Sequence, residues 1–126
     1  MVGFTVRAAT RSHRAWMKRC TLTVSEDRLE LGQRSRPPVA LRKDDVSVIE
    51  VVDLLQPWWM RIANPGPRLG TYLYVESTES KLMWQVQVFE RSAVAVREAL
   101  TSAGWPIKYT TTGVVDALRA PVRYFD

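Results

Sequence analysis

Leu82-Met83-Trp84-Gln85-Val86-Gln87-Val88-Phe89 is followed directly by Glu90-Arg91-Ser92-Ala93-Val94-Ala95-Val96-Arg97-Glu98-Ala99-Leu100-Thr101-Ser102-Ala103-Gly104, and between the two the hydrophobic period changes. In the first segment Leu82, Trp84, Val86 and Val88 fall on one side and Gln85 and Gln87 on the other, the two-residue repeat of a strand with one buried face. In the second, Phe89, Ala93, Val96, Leu100 and Ala103 recur at spacings of three and four, the stripe of an amphipathic helix lying on a sheet. The spacing predicts a helix over 91–103. Ser92 stands where a cap belongs, Gly104 where a left-handed stop belongs, and Trp105-Pro106 follow as after a Schellman ending.

Upstream the chain reads as a series of strands. Residues 3–9 alternate weakly, and Thr10 to Arg14 form a polar, basic connection. Ala15 to Val24 alternate strictly, with Trp16, Cys20, Leu22 and Val24 on one face and Met17, Arg19, Thr21 and Thr23 on the other. Ser25-Glu26-Asp27 turn the chain into Arg28–Gly32, giving a predicted hairpin. Gln33 to Lys43 carry Pro37-Pro38, so only Val39–Leu41 are expected to pair, and at an edge. Val46 to Leu55 show a slip of phase between 46/48 and 49/51, the mark of a β-bulge; a helical stripe at 48, 51, 52 and 55 competes, and the Val/Ile content favours a strand. Trp58–Ala63 then precede the turn Asn64-Pro65-Gly66-Pro67, after which Thr71–Glu76 are expected to pair back on them. A short helix is expected over about 113–119, with Val114, Val115 and Leu118 apolar and Pro121 ending it.

The 126 residues suit one domain, and 46% apolar with 25% charged residues excludes a wholly disordered chain. One Cys and one His cannot assemble a His/Cys metal site or a disulfide framework, and a lone thiol suits a reducing compartment. The first ten residues lack the apolar core of a signal peptide, and no run approaches the roughly 20 apolar residues of a spanning helix. A cytoplasmic protein without cofactor or metal is expected.

The charge of +5 is unevenly placed. Residues 1–43 hold ten basic and three acidic groups, a balance of +7, while residues 44–126 hold eight basic and ten acidic groups, a balance of −2. Arg7, Arg11, Arg14, Lys18 and Arg19 lead into and out of the first loop and are the candidate anion-binding residues; charge-assisted hydrogen bonds from such a group can hold a phosphate. The alternative is a solubilising surface. Trp58 and Trp59 are neighbours on an expected strand and point to opposite faces, so one indole needs an outside cover: the C-terminal tail, a partner or a second copy of the chain.

Seven strand candidates (near 3, 15, 28, 46, 58, 71 and 82) followed by one helix, with Trp16-Met17-Lys18-Arg19-Cys20-Thr21-Leu22-Thr23-Val24 and then Leu29, resemble the pleckstrin-homology-like superfamily over residues 3–104. The resemblance implies a mainly β (α+β) fold: a seven-stranded antiparallel barrel over 1–106 closed by the helix, with 107–126 as a tail. Phosphoinositide-binding members place one basic residue in the first strand and two alternating ones in the second. Arg7 fits the first place and Arg19 one of the pair, while Met17 holds the other and the closing helix lacks the central Trp common in eukaryotic members.

Enzyme signatures are absent: no G-x-S-x-G, Walker loop, G-x-G-x-x-G or H-E-x-x-H. The pair Cys20/His13 is the one conceivable dyad, and Cys20 lies on an apolar strand face where a thiol is inert. Asp44/Asp45 and Glu76/Glu79 read as turn carboxylates. A non-catalytic binding module is therefore expected, docking a protein or an anionic surface such as phospholipid headgroups; specific nucleic acid is not indicated, since the helix balances Arg91 and Arg97 with Glu90 and Glu98. The second reading is a self-assembling structural subunit, a homo-oligomer whose charge is incidental.

Overall fold

The computed structural model describes residues 1–10, 13–33, 36–55 and 68–113. Eight strands form one sheet: β1 (Val2–Thr10), β2 (His13–Val24), β3 (Arg28–Gln33), β4 (Arg36–Arg42), β5 (Val46–Leu55), β6 (Arg68–Ser77), β7 (Leu82–Val88) and β8 (Ile107–Gly113). The order across the sheet is β4-β3-β2-β1-β7-β6-β5-β8. All neighbours are antiparallel except β5 and β8. One helix, α1 (Ala93–Ser102), follows a single 3-10 turn at Glu90–Ser92. The chain is mainly β with one C-terminal helix, as the change of period at Phe89 predicts.

Alternation becomes burial. In β7, Leu82, Trp84, Val86 and Val88 are buried while Met83, Gln85 and Gln87 are half-buried. Val86 lies in register with Ala8 on one side and Leu73 on the other, and Val88 with Val6 and Thr71, so the inner face is one continuous apolar layer. Cys20, Leu22 and Val24 of β2, Leu29 and Leu31 of β3, and Ile49 and Val51 of β5 extend it. Helix α1 adds Ala93, Val96 and Leu100, each at most 1% exposed, the middle three positions of the stripe read from the spacing; Phe89 precedes the helix and Ala103 is half-buried. Burying a Val or Leu side chain is worth about 1.5–3 kcal/mol, so three helical anchors are what hold a ten-residue helix too short to be stable alone.

The helix end combines three devices. Gly104 has φ of 77°, its N–H donates to the Thr101 carbonyl (3.1 Å), and the Trp105 N–H donates to the Leu100 carbonyl (3.1 Å), a Schellman ending. The Lys43 ammonium donates to the Ala103 carbonyl and lies 5.1 Å from the Trp105 ring centroid. The indole N–H of Trp105 donates to the Ser25 carbonyl at 2.8 Å, tying the β2–β3 turn to the helix. At the other end the expectation needs correction: Ser92 occupies the N-cap position without a side-chain capping hydrogen bond, because the 3-10 turn already precedes the helix and the Ser92 N–H donates to Phe89.

The β2–β3 hairpin and the bulge in β5 match the sequence reading; the register slips between Val46 and Val48 against Ser77 and Glu76. Three expectations change. First, a strand at 36–42 runs through Pro37-Pro38, because β4 is the edge of the sheet and the β3–β4 ladder is irregular between Leu31 and Gln33, opposite the prolines that lack N–H groups. Second, β6 does not pair with 58–63: Val75 has Ile49 on one side and Trp84 on the other, so both edges of β6 are taken. Residues 58–63 themselves lie outside the described residues. Third, the sheet is not closed into a seven-stranded barrel. The edge of β5 that closure would use against β4 is occupied by β8, in parallel register from Ile49↔Ile107 to Leu55↔Gly113. Residues 107–113, read as the start of a tail, are thus an integral strand; the helix expected over 113–119 lies, past Gly113, outside the described residues.

Candidate functional site

Arg7 and Arg19 are directly opposite each other in the β1–β2 ladder, and both are exposed. Val6 and Ala8 on either side of Arg7 are fully buried, so alternation sends Arg7 to the outer face of the sheet; Cys20 does the same for Arg19. Opposed residues of an antiparallel pair have Cβ atoms about 4.5–5.5 Å apart, and two cations so placed repel. The Arg19 guanidinium relieves this by lying over the Phe89 ring, 5.4 Å from its centroid. Arg91, from the turn before α1, stands over the same ring at 5.5 Å. Exposed cation–π contacts are worth about 0.5–1 kcal/mol, enough to bias the side chains without pinning them.

Around this trio the outer face is mixed, with Glu30 opposite Thr23 and Tyr72 opposite Gln87. Thr5 and Thr21 form the next cross-strand pair, and Gln87 is the partner of Arg7 on the β7 side. Gly3 pairs with Thr23 and Gly32 with Thr21, leaving the backbone there uncovered by long side chains. Three guanidiniums with hydroxyls and one aromatic ring beside them can hold an anion by bidentate, charge-assisted hydrogen bonds.

Of the other cations named from the sequence, Arg14 and Lys18 belong to β2, Lys18 in register with Ala8, and their side chains lie outside what is described; Arg11 lies outside the described residues altogether. So do Trp58 and Trp59. Sequence reasoning missed Arg91 and Phe89 as members of the group. The signal is in the sequence: Phe89 follows the last strand residue in phase with Gln87, which puts it on the outer face, although it also fits the first place of the helical stripe.

Cys20 is 5% exposed, and burial pushes its thiol pKa up from 9.0 to about 11, the opposite of what a nucleophile requires. Among the described residues no group of three or more His, Cys, Asp or Glu is placed to hold a metal, and no helix is long and apolar enough to cross a membrane.

Hollows lie elsewhere. One of about 410 Å³ opens between α1 and the start of β1, floored by Phe4, Ala95 and Ala99 with Glu26 and Glu98 at its rim. A second of about 380 Å³ lies between α1 and β8. A third, of about 340 Å³, is bordered by Glu26, Asp27, Arg28, Arg42, Lys43 and Asp44, with charges of both signs. None of these three includes Arg7, Arg19 or Arg91. In comparisons with known proteins, no family model and no curated sequence matches the chain.

Proposed function

We propose that the chain is a non-catalytic binding module built on a pleckstrin-homology-like plan, docking an anionic partner on the outer face of β1 and β2. The observation that carries it is the opposed pair Arg7/Arg19, joined through Phe89 by Arg91. Two like charges held side by side cost free energy in the unbound protein, and an anion between them removes the cost. A mainly β sheet followed by one C-terminal amphipathic helix is compatible with that plan; the open sheet and β8 on the edge of β5 depart from it. The +7 balance of residues 1–43, the segment that holds Arg7 and Arg19, favours the approach of anions.

Sedimentation with vesicles containing anionic phospholipid tests the reading directly. The wild type is expected to sediment at low salt and to be released as salt rises, because exposed charges are screened beyond about 8 Å at physiological ionic strength. Arg7→Glu combined with Arg19→Glu is expected to abolish binding while leaving the circular dichroism spectrum unchanged, since both side chains are exposed. Binding that persists in the double variant, or at high salt, refutes the proposed face.

A further inference from the structure

We infer that β8 is a dimerisation edge, pairing antiparallel with β8 of a second copy about a two-fold axis at Thr110. This is independent of the anion-docking face, which lies at the other side of the sheet order.

The two edges of the sheet are unlike. β4 carries Pro37 and Pro38, which cannot donate to a neighbouring strand, and is flanked by Arg36 and Arg42. Such features keep foreign strands away. β8 is Ile107-Lys108-Tyr109-Thr110-Thr111-Thr112-Gly113: four β-branched residues and a tyrosine, no proline and one charge. Among the described residues no strand lies beyond it.

The backbone groups it turns away from β5 can be assigned. The Ile49 N–H donates to the Pro106 carbonyl at 2.7 Å, with Ile49 in register with Ile107. In a parallel ladder that phase turns the backbone groups of residues 108, 110 and 112 towards β5 and those of Ile107, Tyr109 and Thr111 away from it. Antiparallel self-pairing centred on Thr110 uses all seven residues. It sets Tyr109 opposite the partner's Thr111 in a hydrogen-bonded pair, and Thr110 opposite its own copy in a non-hydrogen-bonded pair. Lys108 then faces the partner's Thr112, so the one charge on this edge never meets its like. The segment is its own complement, which is why a second copy is the occupant.

A second observation lies on the same edge. The hollow of about 380 Å³ beside β8 is lined by Val94, Arg97, Glu98, Thr101, Ser102 and Tyr109. Val94 is 57% and Tyr109 50% exposed, two of the four large apolar residues most exposed among those described. The two-fold axis stands perpendicular to the sheet, so both helices fall on one side of a sheet of doubled width, and the partner's side chains on that side enter the hollow.

Light scattering after size exclusion is expected to give twice the chain mass. Thr111→Pro removes an outward N–H and leaves every bond to β5 intact; it is expected to return the mass to that of one chain with an unchanged circular dichroism spectrum. Independently, Thr110→Cys in a Cys20→Ala background is expected to give a disulfide-linked dimer on mild oxidation, since cross-strand Cβ atoms at such a position lie within bonding reach. A wild type of single-chain mass at high concentration, or a dimer that Thr111→Pro leaves intact and Thr110→Cys does not cross-link, overturns the inference, the latter by placing the interface elsewhere.

Discussion

Two buried polar side chains show how single residues carry weight in this fold. The Thr71 hydroxyl, on a residue 1% exposed, donates to Asp53 Oδ1 at 2.7 Å, and Asp53 Oδ2 lies 3.7 Å from the Arg97 guanidinium, which itself stacks 4.6 Å from the Tyr109 ring centroid. One carboxylate thus links β5, β6 and α1, and through Arg97 reaches β8. Asp53→Ala leaves the Thr71 hydroxyl without its acceptor, and urea denaturation is expected to show a loss of about 1–3 kcal/mol. Arg97 is partly exposed, so the ion pair contributes little of that loss beside the buried hydrogen bond.

Cys20 makes the second residue-scale prediction. With its thiol pKa raised to about 11 in the fold against 9.0 ordinarily, the native protein binds the thiol proton more tightly than the unfolded chain does. The stability this contributes is fully present below pH 9 and is lost as pH rises towards 11. A disulfide-exchange reagent at pH 8 is accordingly expected to leave the native thiol unmodified and to titrate one thiol per chain in denaturant. Rapid labelling of the native protein contradicts that.

At the scale of the element, α1 is held by its end as much as by its stripe. A Cβ built on Gly104 meets only the Lys43 Nζ, at an ordinary 3.6 Å, so Gly104→Ala is disfavoured by the left-handed backbone rather than by crowding. The expected cost is about 1–2 kcal/mol, read as a lower thermal midpoint. This ending was legible from Gly104, Trp105 and Pro106 because it depends on local chain chemistry. The helical stripe and the alternation of β7 were legible for the same reason: period and buried face are one property. By contrast β8 was not, because Ile107–Gly113 offers three threonines in a row and no apolar alternation; its place is set by the free edge of β5, which no local pattern announces. β4 was half legible, since two prolines do mark an edge, but the strand resumes on both sides of them.

For the whole molecule, the legible part was the class of fold, a mainly β chain with one C-terminal helix; what was hidden was the pairing of β6 with β5, the place of β8 and closure. A barrel and an open sheet share the same alternation, and they differ in which edge meets which, a long-range matter. The candidate site shows the same division. Arg7 and Arg19 stood out by charge and alternation, whereas their direct opposition and the approach of Arg91 to Phe89 needed the register of β1 against β2 and β7. The order of strands also predicts a gradient of protection. Amide hydrogen exchange is expected to be slowest in β1, β7 and β6, each bonded on both sides, and fastest in β4. In a dimer formed through β8, the amides of Tyr109 and Thr111 join the slow group on raising the concentration; unchanged rates there speak against that pairing.

The β1–β7 seam, from Val6↔Val88 to Thr10↔Trp84, joins two halves that are built from neighbouring hairpins, apart from the parallel β5–β8 pair. Its partners lie far apart in the chain, and such closures are slow because the entropy of the intervening loop is spent before any bond repays it. During synthesis β1 to β4 can therefore fold back on themselves while Val6, Ala8 and Ala9 wait with one side unpaired until β7 has left the ribosome. For that interval the chain carries a second sticky edge, one that the finished protein no longer shows.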